Sequence, residues 1–208
     1  MRIVELIIDE NDEYSGVDAI SLVESPAISE NWVALNRIEE KYKFKAIDED
    51  KRILIGALLV PNRMIYRRDG KDEYYIHFTK DTVKRASELY LKKGHANNAT
   101  YEHIQEVQNV SLVESWIVED KINDKSALYN LDLPIGTWVG AMKIENEELW
   151  KMAKVDGTIK GFSIEGYFEE KAKLSTEKET SLNKDINTNL SILLNRLKTI
   201  ENGKQKSN

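Results

Sequence analysis

The chain has 208 residues, of which 41% are hydrophobic and 32% are charged, with a net charge of −6 and no cysteine. This composition predicts a soluble globular protein and excludes disulfides, thiolate metal sites and a cysteine nucleophile. The basic residues are interspersed with acidic ones, which disfavours nucleic-acid binding by a broad basic face.

Short apolar runs bounded by turn residues predict a mainly β chain in the first half. The predicted strands cover residues 2–8, 18–28, 53–60, 64–67 and 73–78. Pro26 stops the second of these strands, because proline cannot donate a ladder hydrogen bond. A helix is predicted next, because Thr79 suits an N-cap and Val83, Ala86 and Tyr90 follow at helical spacing. Gly94 is placed to end that helix.

The second half of the chain is also predicted to consist mainly of strands, with one short helix. Residues 95–105 are polar and predict a loop, followed by a long strand at 107–118 and by a turn that enters another strand within residues 134–142. Asn146 predicts the cap of a short helix that Gly157 ends. A last strand is predicted around residues 160–168.

Ser163 is the most informative residue of that last strand. Alternation places Ser163 and Glu165 on one face of the strand, and glycines at 161 and 166 flank the serine. A small nucleophile on a rigid strand with an open approach is suited to acyl transfer. The competing interpretation of this local pattern is a serine on the solvated face of an edge strand.

The composition changes after residue 168. Residues 169–181 are polar, and apolar residues at 186, 190, 193, 197 and 200 form a heptad seam. The sequence therefore predicts two domains, residues 1–170 as the folded domain and 171–208 as a polar linker with a short heptad helix. The last eight residues are predicted to be disordered.

The sequence gives no support for a cofactor, a metal ion or a membrane. No two of His77, His95 and His103 share a spacing that places them on one helix or strand face. No glycine-rich phosphate loop is present. The N-terminus lacks the basic start and apolar core of a signal peptide, and no apolar run reaches the roughly 18 residues of a membrane span.

Six segments occur in an order that carries a resemblance. They are residues 21–28, residues 56–62, His103, residues 113–118, residues 134–138 and residues 161–166. Together they resemble the prohead proteases of tailed phages, most closely the XkdF-like branch, over about residues 15 to 170.

The resemblance implies an α+β, mainly β fold: a closed or nearly closed β-barrel with surrounding helices, here followed by a C-terminal helical tail. It implies a serine endopeptidase that cleaves scaffold and major capsid proteins, and itself in some cases, inside the assembling procapsid in the host cytoplasm. Ser163 would be the nucleophile and His103 the general base. Self-association as a dimer or higher oligomer is also expected.

The third catalytic residue is left open. In many prohead proteases the segment that resembles residues 21–28 follows the serine and carries the glutamate of the triad; here it precedes the serine, and Ala19 stands at that place. Glu114 is favoured, since it shares a strand face with apolar residues, where a carboxylate needs a partner. Glu165 shares a face with Ser163, and Asp18 should point to the opposite face of its strand.

Two alternatives accompany this interpretation. His77 and His95 compete with His103, although His77 fits a half-buried sheet residue and His95 fits a helix end. The missing family glutamate favours a different class of function, a catalytically inactive protease-like protein that acts as an internal scaffold during assembly.

Overall fold

The structure of the chain is a computed structural model that describes residues 2–9, 11–24, 45–48 and 51–171. The chain divides into two units, residues 1–169 and 170–208. The heptad helix and disordered end that the sequence predicts, and the predicted strand residues 25–28, lie outside the described residues.

The described residues form twelve strands, three helices and one short 3-10 turn. The strands are β1 (Arg2–Ile7), β2 (Gly16–Val23), β3 (Lys45–Asp48), β4 (Ile53–Leu59), β5 (Ile65–Asp69), β6 (Asp72–Phe78), β7 (Ala99–Tyr101), β8 (Gln105–Val107), β9 (Val110–Ile117), β10 (Trp138–Ile144), β11 (Gly161–Tyr167) and β12 (Glu169–Glu170). The helices are α1 (Lys80–Lys92), α2 (Lys125–Leu128) and α3 (Glu147–Lys154), and the 3-10 turn covers His95–Asn97.

The strands form three sheets of four strands each. Their orders are β12-β1-β6-β5, β3-β4-β10-β9 and β11-β2-β7-β8. The mainly β character agrees with the sequence, whereas the predicted closed or nearly closed barrel with surrounding helices is wrong. A barrel needs every strand to be hydrogen-bonded on both sides, and among the described residues no sheet closes on itself. The described helices are also few.

The largest core cluster lies where these sheets and α1 pack together. Trp138, Tyr90 and Phe162 are its largest fully buried side chains. The rings of Tyr90 and Trp138 meet edge to face with centroids 5.5 Å apart, an arrangement that the quadrupoles of aromatic rings favour. Burial also raises the pKa of Tyr90. The site strand β11 is therefore anchored in the core through Phe162.

Both predicted helix caps are confirmed. The side chain of Thr79 accepts a hydrogen bond from the Thr82 backbone N–H and starts α1, and Asn146 does the same for Leu149 in α3. Gly94 follows α1 with φ of 78°, a left-handed conformation that glycine adopts without a steric cost. The helix stop predicted from Gly94 is therefore correct.

Gly166 is the glycine of β11 at which a second backbone comes very close. A Cβ at this position would lie 2.0 Å from the Gly16 carbonyl oxygen and 2.8 Å from Val17 Cα. The ladder between β2 and β11 shifts its register between Glu165 and Gly166, so the bulge brings the backbones together here. We expect Gly166→Ala to lower the free energy of unfolding by about 3 kcal/mol, measured by urea denaturation.

The matched control for this variant is Gly70→Ala. Gly70 has φ of 59°, and a methyl group added to its Cα would meet no other atom within 4 Å. Its substitution therefore carries only the backbone cost of about 1 kcal/mol. If both variants lose the same unfolding free energy, the backbones of β2 and β11 can move apart around the added methyl group without an energetic cost, and the prediction fails.

Candidate active site

The ladder between β2 and β11 determines which face Ser163 occupies. Ser163 pairs with Ser21 across this antiparallel ladder, and Glu165 pairs with Ala19. On the other side of β2, Ser21 pairs with Thr100 of the parallel strand β7. Because directly paired residues point to the same face of a sheet, Ser163, Glu165, Ser21 and Thr100 lie on one face.

Ser163 is almost buried in this arrangement. Its exposed fraction is 6%, and that of Ser21 is 0%. Polar side chains with so little solvent access need partners in the protein, which distinguishes this face from a solvated sheet surface. The alternative interpretation, a serine on the solvated face of an edge strand, is therefore wrong, because Ser163 is buried.

His103 reaches the same face through an unusual turn after β7. Both Glu102 and His103 have left-handed backbones, with φ of 52° and 58°, a conformation that costs roughly 1–2 kcal/mol for each such residue. The neighbouring strand β2 holds the turn in place. The His103 N–H donates to Ser21 Oγ at 3.0 Å, and the Glu102 N–H donates to the Leu22 carbonyl oxygen at 3.1 Å.

The imidazole of His103 pairs with Glu165. His103 Nδ1 lies 3.2 Å from Glu165 Oε1, and the Thr100 hydroxyl donates a hydrogen bond to the same oxygen. Both side chains of the pair are partly exposed, at 39% for His103 and 30% for Glu165. With Nδ1 engaged by the carboxylate, Nε2 remains to exchange a proton with another group.

Glu114 has a different environment. It lies on β9, in the sheet that contains β4 and β10, and its carboxylate pairs with the ammonium group of Lys125. Lys125 Nζ also lies 5.4 Å from the centroid of the Trp116 ring. The apolar setting predicted for Glu114 therefore contains its own cation, and the Glu114 side chain is 41% exposed.

Asp124 completes this second cluster. Its carboxylate caps α2 by accepting from the Ser126 N–H at 2.8 Å and also accepts from Trp116 Nε1 at 3.1 Å. Burial acts to raise the pKa of Asp124, but these hydrogen bonds outweigh it and lower the pKa. The contacts connect α2 to β9, so the cluster has a structural explanation.

The remaining candidates lie on other parts of the fold. Asp18 is exposed on β2, at the position where the ladder with β11 shifts its register. His95 Nδ1 contacts the Val17 carbonyl oxygen at 3.2 Å, near the start of β2. His77 is in β6, in a different sheet. In the described part of the chain, His103 is the histidine that pairs with Glu165.

Two residues of the site were not found from the sequence. Thr100 lies in a strand of three residues inside a segment that was predicted to be a loop, and a strand this short carries no periodic pattern. Ser21 belongs to the segment that supports the resemblance, but nothing in that segment shows that its hydroxyl binds the His103 backbone.

Among the described residues there is neither a metal-binding cluster nor a helix that could span a membrane. Within them, no three His, Asp or Glu side chains are grouped so that they could hold a metal ion. None of the helices described is both long enough and apolar enough to cross a membrane.

Comparison with known proteins identifies a family for this chain. The model of a family described as "Putative phage serine protease XkdF" matches residues 41–171, which is more than half of the chain. No curated protein and no solved structure matches the chain. The match includes His103, Glu114, Ser163 and Glu165 and ends where the described residues end.

Proposed function

Because this chain belongs to the XkdF family of phage serine proteases, we propose that it is a serine endopeptidase that cleaves scaffold and capsid proteins during procapsid maturation. The observation that supports this proposal most directly is the His103–Glu165 pair on the sheet face that carries Ser163. A serine, a histidine and a carboxylate on one face are the components of a Ser-His-acid triad.

In the proposed mechanism His103 Nε2 accepts the Ser163 hydroxyl proton while Oγ attacks the carbonyl carbon of the scissile peptide. The proton then passes to the amine that leaves, and an acyl ester remains on Ser163. Water, deprotonated by the same imidazole, hydrolyses the ester and restores the serine. Glu165 orients the ring through Nδ1 and stabilises the imidazolium that forms in each half of the reaction.

Glu165 is our choice for the third residue. It lies 3.2 Å from His103 Nδ1, and the Thr100 hydroxyl fixes its carboxylate. Glu114, which the sequence favoured, lies on β9 in another sheet and pairs with Lys125 of α2, and Asp18 is exposed at the register shift between β2 and β11. The carboxylate that the first segment lacks at Ala19 is thus available from β11, which weakens the case for an inactive scaffold protein.

A serine-directed covalent probe tests the proposal. The probe should label the purified protein at Ser163, identified by peptide mapping, and labelling should be lost in Ser163→Ala and His103→Ala. Thermal unfolding of both variants controls for misfolding. If the folded wild-type protein is not labelled, or if Ser163→Ala is labelled as strongly as wild type, the inactive scaffold becomes the better assignment.

The partners follow from the same proposal. Scaffold protein, major capsid protein and further copies of this chain would meet the enzyme inside the assembling shell. The segment from residue 171 onward would bind scaffold or a second copy, and its polar stretch of residues 171–181 would be the place for self-cleavage. Both roles rest on the sequence alone.

A further inference from the structure

A cavity of about 280 Å³ lies beside the strand that carries Ser163. One wall is formed by β11, through Ser163, Ile164 and Tyr167, and by Phe168, which follows that strand. The opposite wall comes from the sheet of β5 and β6, through apolar residues such as Ile76 and Phe78. Among the described residues β11 is an end strand of its sheet, so a chain that reaches Ser163 along this edge could place a side chain in the cavity.

Two arginines interrupt this apolar lining, Arg63 and Arg67. Arg67 is on β5 with Ile65, which also lines the cavity, while Arg68 alternates to the other face of the strand. Arg67 Nη1 donates to the Tyr66 carbonyl oxygen at 3.0 Å. Within the described part of the chain, no carboxylate pairs with Arg67.

Arg67 is exposed on β5 and therefore lies at the open rim of the cavity. Desolvation lowers the pKa of its guanidinium, and the aromatic Tyr74 acts in the opposite direction. A guanidinium can bind a carboxylate through two parallel hydrogen bonds. The cavity therefore combines apolar walls for a methylene stem with a cation for an acidic end.

We propose that this cavity is a substrate subsite that selects an acidic side chain, glutamate or aspartate, close to the scissile bond, with Arg67 as the residue that determines specificity. This inference rests on the proposed protease function. The apolar walls would contact the methylene groups of the substrate side chain, and Arg67 would bind its carboxylate.

A randomised peptide library tests the proposal. Cleavage products of the wild-type enzyme, sequenced by mass spectrometry, should show glutamate or aspartate enriched at one position near the cut. Arg67→Ala should lower kcat/KM for a selected peptide roughly 10- to 100-fold, the range for one charge-assisted interaction. The same variant should cleave the glutamine analogue of that peptide at the wild-type rate.

Arg68→Ala is the matched control. It removes an arginine from the next position of β5, where Nε donates to the Gly70 carbonyl oxygen at 3.2 Å on the other face of the strand, and it should keep the acidic preference. Arg67→Glu should invert the preference toward lysine or arginine. Cleavage without acidic enrichment, or enrichment that persists in Arg67→Ala, would overturn the proposal and leave the protease function intact.

A binding measurement separates the subsite from the chemistry. Immobilised Ser163→Ala protein should retain acidic peptides from the same library, and the double variant Ser163→Ala/Arg67→Ala should not. If the wild type cleaves nothing, the protease function fails while this retention still decides the subsite. Equal retention of acidic and neutral peptides would count against it.

Discussion

Replacing Glu165 by glutamine is expected to lower kcat for peptide cleavage by about 10³- to 10⁴-fold, with little change in stability. The amide keeps the shape of the side chain but removes the charge that stabilises the imidazolium. It also offers an N–H where His103 Nδ1 needs an acceptor, so the ring would lose its productive tautomer. Steady-state kinetics and thermal unfolding of the same preparations measure both effects.

Glu114→Gln is the control for this result. Glu114 pairs with Lys125 away from the His103–Glu165 pair, so the loss of its charge should leave kcat within about twofold and cost at most about 1 kcal/mol of stability, as for an exposed ion pair. A large loss of activity in Glu114→Gln together with an unaffected Glu165→Gln would return the role to Glu114.

The register of β2 and β11 provides a stricter test of the same assignment. Ala19 lies directly opposite Glu165 on the same face, and the resemblance found in the sequence implies that Ala19 stands at the place of a triad glutamate. The double variant Ala19→Glu/Glu165→Ala should therefore recover part of the activity that Glu165→Ala loses. A double variant that folds and is no more active than Glu165→Ala would show that the carboxylate must come from β11.

The second large effect is expected for Ser21→Ala, which should lower kcat by about 100-fold, the cost of a misplaced catalytic group. Ser21 Oγ accepts the His103 N–H at 3.0 Å, and this bond helps to hold the left-handed turn. Without the acceptor, the turn can relax and carry the imidazole away from Glu165. Ser21→Thr, which keeps the hydroxyl, should restore most of the activity.

Ser15→Ala separates positioning from stability. Ser15 is also buried, at 1% exposure, and its hydroxyl accepts one backbone N–H, that of Asp9 at 3.0 Å. Each alanine variant should lose about 1–2 kcal/mol of unfolding free energy, but only Ser21→Ala should lose activity. A parallel loss of activity in Ser15→Ala would mean that Ser21 contributes to folding alone.

The local features of this chain could be predicted from the sequence because neighbouring residues determine them. The caps at Thr79 and Asn146 depend on a side chain and a backbone N–H three residues later. The shared face of Ser163 and Glu165 depends only on the alternation of side chains along one strand. Features of this kind need no knowledge of which strands are neighbours.

The closed barrel that the resemblance implied was wrong, and the apolar patterns could not correct it, because they show which strand faces are buried and leave open which strand edges are paired. The sheet order β11-β2-β7-β8 is determined by which strand edges form hydrogen bonds with each other. It depends on hydrogen bonds between residues far apart in the chain, and the six-segment resemblance did not contain that information.

The faces of the strands, the ends of the helices and, through the resemblance, the candidates Ser163 and His103 could all be identified without coordinates. The carboxylate beside His103 could not, because it depends on strand order. Glu165 is 62 residues further along the chain, and the two meet because β2 lies between β7 and β11. The left-handed turn at His103 also depends on the tertiary structure. Non-glycine residues adopt this conformation against their intrinsic preference, and hydrogen bonds to β2 compensate for the cost.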